Sequence, residues 1–233
     1  MNSVRVLLAS DLSLPRAGLR LILESISGFT IVGEVVRAAA AAEQIGVSRP
    51  EVVVMTVSSR AGFGTALIEE LVQVHPTVRI VALSVRNESS YIRLLISAGA
   101  RGYVCEQSPP IELFQAIQEA AQGRIYIDSQ VEALAGHESL AVVKADASAD
   151  GPKRPAYLSR READVLRLLA RGLSNQQVAD NLLLSVKTAE TYRTRLTRKL
   201  GVKNRADLFR MAYEVGMIDL NDLSDLTASG KTI

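Results

Sequence analysis

Cysteine and tryptophan are the residues that this sequence most lacks: among 233 residues there is one cysteine, Cys105, and no tryptophan. A single cysteine cannot close an intramolecular disulfide, and it cannot build a cysteine-rich metal site. No apolar run approaches the ~18 residues of a membrane-spanning helix, and the N-terminus has no basic segment followed by a long apolar one. We therefore expect a cytoplasmic protein with no membrane association, no bound metal and no cofactor.

The sequence motifs of the common enzyme classes are missing as well. There is no Gly-x-x-x-x-Gly-Lys phosphate-binding loop, no Gly-x-Ser-x-Gly nucleophile elbow and no His-Glu-x-x-His metal motif. The two histidines, His75 and His137, lie beside Pro76 and in a stretch of small residues. Neither has a sequence neighbour that would make it a base or a ligand. We do not expect an enzyme.

Charge is distributed unevenly along the chain. The formal net charge is only +2, but residues 153–218 contain 14 Lys or Arg and 6 Asp or Glu, which gives this stretch a charge of +8. The remaining residues are net acidic. A basic module joined to a mildly acidic one is typical of a nucleic-acid-binding domain attached to a second domain. A basic surface that is merely solvated is the alternative.

Strand and helix patterns alternate through residues 1–135. The third apolar run, residues 52–57, is almost wholly apolar, as expected for a strand that is buried on both faces. Strict alternation predicts an α/β domain with a five-stranded parallel sheet and helices on both sides. The predicted strands are residues 4–9, 30–36, 52–57, 79–83 and 102–105.

The composition changes after residue 135. Residues 136–156 are small and polar with Gly and Pro, which predicts a linker. Residues 157–218 contain only helical patterns and predict an all-α domain of four helices. Ser159 with Glu162, and Ser174 with Gln177, fit the capping box that begins a helix. Residues 219–233 are an acidic tail, which is a frayed end, a cover for the basic domain or a protein contact.

One predicted helix, residues 186–200, has two chemically different faces. On a helical wheel one stripe is apolar and must face the domain core, namely Ala189, Tyr192, Leu196 and Leu200. The opposite side is polar near its start and basic near its end, with Lys187, Thr191, Thr194 and Arg198. A shorter helix and a turn precede it, which is the helix-turn-helix pattern of DNA-binding domains. A basic helix lying solvated on a bundle is the alternative.

Two resemblances to known families cover nearly the whole chain except the predicted linker and tail. The C-terminal domain closely resembles the LuxR-type helix-turn-helix in residues 158–166, 172–175, 187–188 and 198–202. The N-terminal domain is similar to the receiver domain of the NarL/FixJ response regulators in residues 16–19, 50–55 and 99–103. Together they imply a flavodoxin-like receiver fold followed by a four-helix DNA-binding domain.

The resemblance implies which residues contact DNA. The base-reading positions of the family fall on Glu190, Thr191 and Thr194. The phosphate contacts of the family fall on Lys187, Thr188, Arg195, Lys199, Lys203 and Arg205. The helical wheel adds Arg198 to this set. The last helix resembles a dimerisation helix through Leu208, Met211, Ala212 and Val215. Packing in the domain core is the alternative, and the two roles are compatible. We expect a regulator that binds double-stranded DNA as a homodimer.

The receiver pocket departs from the pattern of the family that it resembles. Such a pocket uses an aspartate acceptor, two acids that hold Mg²⁺, a hydroxyl and a lysine, because phosphoryl transfer needs a metal and a cation to neutralise the phosphoryl oxygens. The acceptor position falls on Thr56, and the pair of acids falls on Ser10 and Asp11. The hydroxyl position falls on Ser84, the lysine position on Glu106 and the switch aromatic on Tyr103. We therefore predict a degenerate receiver domain that is not phosphorylated on aspartate.

Three interpretations of the altered pocket stay open. Asp11 and Glu106 are leftover surface acids, or the pocket binds a small molecule, or it responds to phosphorylation of Ser10, Thr56 or Ser58. The leading hypothesis is a sequence-specific transcription regulator that does not need aspartyl phosphorylation. The alternative is a receiver-like interaction or ligand-sensing protein whose DNA binding is gated by a protein partner, a small molecule or Ser/Thr phosphorylation.

Overall fold

The structure is a computed structural model that describes residues 3–57, 63–135, 158–214 and 217–218. Its N-terminal part alternates strands and helices, as the sequence predicts. The elements are β1 (Val4–Ala9), α1 (Ser13–Glu24), β2 (Phe29–Val35), α2 (Ala41–Ser48), β3 (Val52–Thr56), α3 (Thr65–Val74), β4 (Arg79–Ser84), α4 (Ser89–Ala98), β5 (Gly102–Cys105), α5 (Pro110–Ala121), β6 (Tyr126–Ile127) and α6 (Ser129–Ala135).

The strands form one parallel sheet in the order β2-β1-β3-β4-β5-β6. Alternate residues of β3 face opposite sides, so that Val53 and Met55 pack in one core cluster and Val52 and Val54 pack in the other. Helices α2, α3 and α4 cover the first side, and α1 and α5 cover the second. The prediction of a strand buried on both faces is confirmed.

The sheet has one strand more than the five that the sequence predicts, within the described residues. The sixth strand is only two residues long, and such a segment is too short to show the alternation by which a strand is recognised. Its backbone extends the sheet edge, because Tyr126 N–H donates to Arg101 O and Asp128 N–H donates to Tyr103 O. Asp128 is fully buried and caps α6 by accepting from Gln130 N–H at 2.9 Å.

The C-terminal part contains four helices within residues 158–214, as predicted. They are α7 (Arg160–Ala170), α8 (Asn175–Leu182), α9 (Val186–Leu200) and α10 (Arg205–Glu214). All four contribute buried apolar residues to a common core, and α7 contacts both α9 and α10. The predicted linker, residues 136–156, and the tail, residues 219–233, lie outside the described residues.

The predicted helix starts are present as hydrogen bonds. In α7 the Ser159 hydroxyl accepts from Glu162 N–H at 3.2 Å, and the Glu162 carboxylate accepts from Ser159 N–H at 2.7 Å. In α8 the same pair of bonds joins Ser174 and Gln177, at 3.3 and 2.8 Å. Both capping boxes are therefore confirmed.

In the part of the chain that the structure describes, the helices are too short or too polar to cross a bilayer. Helix α9 of the C-terminal part contacts α4 of the N-terminal part.

The capping box of α7 makes a stability prediction. Ser159→Ala removes the hydroxyl that satisfies Glu162 N–H, so we expect a loss of about 1 kcal/mol of unfolding free energy. Urea denaturation followed by circular dichroism measures it. Ser159→Thr keeps the hydroxyl and is the matched control, expected to lie close to the unchanged protein. Equal stability of the alanine and threonine variants would contradict the assignment.

Candidate nucleic-acid interface

A three-residue turn sets the direction in which α9 leaves the domain. Leu183 ends α8 in the left-handed region, with φ +54°, and Ser185 begins the next helix as its N-cap. The Ser185 hydroxyl accepts from Thr188 N–H at 3.1 Å and lies 2.7 Å from the Thr188 hydroxyl. Because an N-cap satisfies a free amide and fixes the chain direction, α9 starts at a defined place and angle.

The inner face of α9 packs as the helical wheel predicts. Ala189, Leu196 and Leu200 are buried in the core of the domain. Tyr192 is half-buried: it packs against the same cluster, as predicted, and it also lines the edge of the outer surface. This packing leaves α9 unable to rotate about its axis, so the opposite face must point to solvent.

The outer face of α9 brings the predicted DNA-contacting side chains of this helix to one exposed surface. Six of the predicted residues are exposed there: Lys187, Glu190, Thr191, Thr194, Arg195 and Arg198. Thr188 is half-buried and is held by its contact with Ser185. Lys203 and Arg205 are exposed at the loop after α9 and at the start of α10. The surface is cationic apart from Glu190.

A groove of about 280 Å³ lies at the start of this surface. It is lined by Ser185, Lys187, Thr188, Thr191, Tyr192 and Arg195. The two cations on this concave surface suit the oxygens of a phosphate group, which accept hydrogen bonds and carry negative charge.

Three of the four threonine side chains on α9 share one hydrogen-bond geometry. The Thr191 hydroxyl donates to Lys187 O at 2.8 Å, and the Thr194 hydroxyl donates to Glu190 O at 3.0 Å. The Thr197 hydroxyl donates to Arg193 O in the same way. Each hydroxyl thus bonds the carbonyl four residues earlier, a common arrangement of threonine inside helices.

Lys199 differs from the other predicted phosphate contacts because it takes part in an ion pair. Its ammonium donates to the Glu162 carboxylate at 3.0 Å and ties α9 to the start of α7. Burial acts to raise the pKa of Glu162, but the bonds from Ser159 N–H and from Lys199 outweigh it and lower the pKa. The sequence contains no signal for this pair, since 37 residues separate its members.

The predicted dimerisation residues lie in the core of their own domain. Leu208, Met211 and Ala212 are buried, with exposed fractions of 3%, 5% and 0%. These three residues therefore pack in the core of their own domain, and their part in dimerisation stays a prediction. Val215 lies outside the described residues. The half-buried Phe209 and Tyr213, whose rings stack 6.0 Å apart, lie beside that core on the same helix.

The receiver-type positions meet at the carboxyl ends of the parallel strands. Ser10, Thr56 and Ser84 follow or end β1, β3 and β4, and all three side chains are buried. Ser84 Oγ lies 3.0 Å from the Tyr91 hydroxyl on α4. Tyr103 of β5 is fully buried with its ring edge against Tyr91, and this burial raises the pKa of the Tyr103 hydroxyl.

The two acids of this pocket also follow the carboxyl ends of parallel strands. Asp11 follows β1, and its buried Oδ1 has no hydrogen-bond partner among the described residues. Glu106 follows β5, and desolvation raises its pKa above the ordinary value. Across residues 3–57, 63–135, 158–214 and 217–218, no three His, Cys, Asp or Glu side chains gather in a group that could hold a metal ion.

Comparison with known families gives two matches. Residues 6–118 match the response regulator receiver domain, and residues 156–212 match the luxR family of bacterial regulatory proteins. The chain is 27% identical over 218 residues to the oxygen regulatory protein NreC of Staphylococcus carnosus, which covers 93% of this chain and 100% of NreC. NreC of Staphylococcus epidermidis strain ATCC 12228 is 25% identical over 217 residues, covering 93% and 100%.

Solved structures with the same order of domains are also similar. A structure of two RcsB dimers bound to two parallel DNAs has a TM-score of 0.62 and 25% identity, covering 92% of this chain and 100% of that one. RcsB from Salmonella enterica serovar Typhimurium, bound to promoter rprA in the presence of phosphomimetic BeF3−, has a TM-score of 0.58 and 26% identity, covering 90% and 98%. The two matched families span most of the chain in this order. The chain therefore belongs to the transcriptional response regulators, which join a receiver domain to a LuxR-type DNA-binding domain.

Proposed function

We propose that this protein binds double-stranded DNA sequence-specifically as a homodimer, and that its binding does not depend on aspartyl phosphorylation. The single observation that carries the DNA-binding function is the exposed outer face of α9, which presents Lys187, Arg195 and Arg198 on a helix whose other side is fixed in the core.

The geometry of α9 supports a division of roles along its length. A helix that enters the major groove places its first turns near base edges, so Glu190, Thr191 and Thr194 read bases. The cations around them contact phosphates, which hold the helix in register without reading sequence. This role belongs to Lys187, Arg195, Arg198, Lys203 and Arg205. Lys199 contacts phosphate as well, but its ammonium also forms an ion pair with Glu162.

Dimerisation is supported by the similar RcsB structure, in which dimers bind DNA. Two copies double the number of base contacts, and two half-sites about one helical turn apart, ~10 base pairs, match a two-fold protein. Because Leu208, Met211 and Ala212 are buried, a dimer contact through α10 would use the exposed part of that helix.

Independence from aspartyl phosphorylation follows from the chemistry of the receiver pocket. Thr56 stands where the acceptor carboxylate belongs, and a neutral hydroxyl offers Mg²⁺ no charge and needs a base to act as a nucleophile. Glu106 stands where a lysine would neutralise the phosphoryl oxygens. A pair of like charges at 4 Å costs about 4 kcal/mol at an effective dielectric constant of 20, so a carboxylate here repels a phosphoryl group. The donor set of this pocket does not fit the magnesium ion of a receiver domain.

A charge deletion on α9 tests the DNA interface. Arg195→Ala should weaken binding to every duplex by a similar factor and lower the slope of log affinity against log salt by about one, because one phosphate contact is lost. Titration at several salt concentrations measures both. Arg161→Ala removes an exposed arginine of the same domain on α7 and is the control, expected to leave the slope unchanged. Equal effects of the two variants would refute the assignment of the binding face.

The second test concerns the receiver pocket. Incubation of the full chain with Mg²⁺ and acetyl phosphate should leave its intact mass and its DNA affinity unchanged, since no aspartate occupies the acceptor position. Mass spectrometry and DNA titration before and after incubation check this. A stoichiometric phosphoryl adduct within residues 1–135 would overturn phosphorylation independence, while leaving the DNA interface intact.

A second candidate function, DNA binding gated by a partner or ligand of the receiver domain, is favoured by one chain of contacts. Ser84 in the pocket bonds Tyr91, Tyr91 lies on α4, and α4 contacts α9. The Arg86 guanidinium, 5.4 Å from the centre of the Tyr91 ring, packs on the same side chain. A change in the pocket thus has a physical route to the DNA-binding helix.

Removing one hydroxyl tests that route. Tyr91→Phe keeps the ring and deletes the bond to Ser84, so gating predicts a change in DNA affinity of about fivefold, the value of one hydrogen bond near 1 kcal/mol. Tyr126→Phe deletes a tyrosine hydroxyl that bonds Glu112 in the same domain and is the matched control. Unchanged DNA affinity of a folded Tyr91→Phe variant would exclude gating through this contact.

A further inference from the structure

The hydrogen bonds inside α9 determine what its threonines can offer to a ligand. A hydroxyl has one proton and two lone pairs. The protons of Thr191 and Thr194 are directed to the backbone oxygens of Lys187 and Glu190, at 2.8 and 3.0 Å. What each exposed side chain can still present is therefore an acceptor oxygen and a methyl group.

The third residue of the base-reading set has the same property. Glu190 is exposed, and an ionised carboxylate accepts hydrogen bonds and donates none. The middle of the outer face, Glu190, Thr191 and Thr194, thus consists of acceptors and methyl groups without a free donor. The donors of the helix are the cations at its rim, which reach toward phosphates.

Base edges in the major groove differ in what they require from a protein. Adenine N6 and cytosine N4 are donors and need an acceptor, and thymine presents a methyl group. Guanine presents the acceptors O6 and N7 and needs a donor. An acceptor-only surface is complementary to these amino groups and to the methyl group, whereas guanine offers it no donor and no methyl group.

We propose that this regulator reads its operator through exocyclic amino groups and thymine methyls, so that adenine, cytosine or thymine edges, not guanine edges, face Glu190, Thr191 and Thr194. The inference rests on the proposed DNA-binding function and adds the chemical class of the sequence that is read.

The bonds to the backbone persist when DNA excludes water from this surface. In a dry interface a hydroxyl proton without an acceptor is costly, and the carbonyls of Lys187 and Glu190 already satisfy the two protons. Turning a hydroxyl toward guanine would exchange one bond for another and gain little. Accepting from an amino group uses a free lone pair and adds a bond.

Base analogues test the proposal directly. A half-site is first selected from random duplexes with the full-length protein, and single bases are then replaced by analogues that lack one group. Purine for adenine removes the N6 amino group, uracil for thymine removes the methyl, and 7-deazaguanine for guanine removes the N7 acceptor. We expect about a tenfold loss for at least one purine or uracil replacement.

Two isosteric variants assign the effect to the threonines. Thr191→Val and Thr194→Val keep the shape of the side chain and delete its oxygen. The loss of affinity on replacing adenine by purine should therefore disappear at the base that each residue faces. Thr197→Val is the matched control, because Thr197 makes the same backbone bond but is half-buried and is not a predicted base contact. Melting temperatures of the variants confirm that each is folded.

The outcomes separate this inference from the function on which it rests. Specific binding in which 7-deazaguanine, rather than purine or uracil, abolishes the preference assigned to Thr191 and Thr194 would overturn the acceptor-only reading and leave DNA binding in place. Failure to select any sequence, even at low salt, would overturn the proposed function itself. A loss of affinity on replacing adenine by purine that the valine variants erase, or a loss on replacing thymine by uracil that they retain, supports the inference.

Discussion

The anchoring of α9 is the physical constraint on which the functional surface depends. Ser185 fixes where the helix begins, and Ala189, Leu196 and Leu200 fix its rotation by burial in the core. A 15-residue helix held at its start and along one side has a single orientation, so its outer side chains form a surface of defined shape. The positive charge of the domain would attract DNA from any position, but only this anchoring turns attraction into a geometry that can distinguish base sequences.

The fold of the receiver domain rests on strand and helix packing, whereas the chemistry at the ends of its strands rests on a few side chains. The parallel sheet brings the carboxyl ends of β1, β3, β4 and β5 to the same side of the domain. The packing of alternate strand residues against the two helical layers does not involve the side chains beyond these ends. The buried hydroxyl residues Ser10, Thr56 and Ser84 stand at these strand ends. The Ser84–Tyr91 bond connects these strand ends to α4 and, through α4, to the DNA-binding domain.

Ion pairs and backbone bonds modify the roles that a residue type alone would suggest. Lys199 and Arg198 are both cations near the end of α9, yet Lys199 is held by Glu162 and contributes to the α7–α9 contact, whereas Arg198 is exposed. Thr191 and Thr194 are hydroxyl residues, but their protons are engaged within the helix. A side chain can bind a partner only through the charge or hydrogen-bonding groups that its own neighbours do not already engage.

The sequence by itself determined the local features. It determined the strands and their two-sided burial, the capping boxes at Ser159 and Ser174, and the division of α9 into inner and outer faces, because period and capping depend on residues close in the chain. Only the tertiary structure decided which distant groups meet. It paired Lys199 with Glu162, placed Leu208 and its neighbours in the core of one chain and added the short strand β6. A helical wheel gives the direction of a side chain around its axis, but it does not contain the element that lies in that direction.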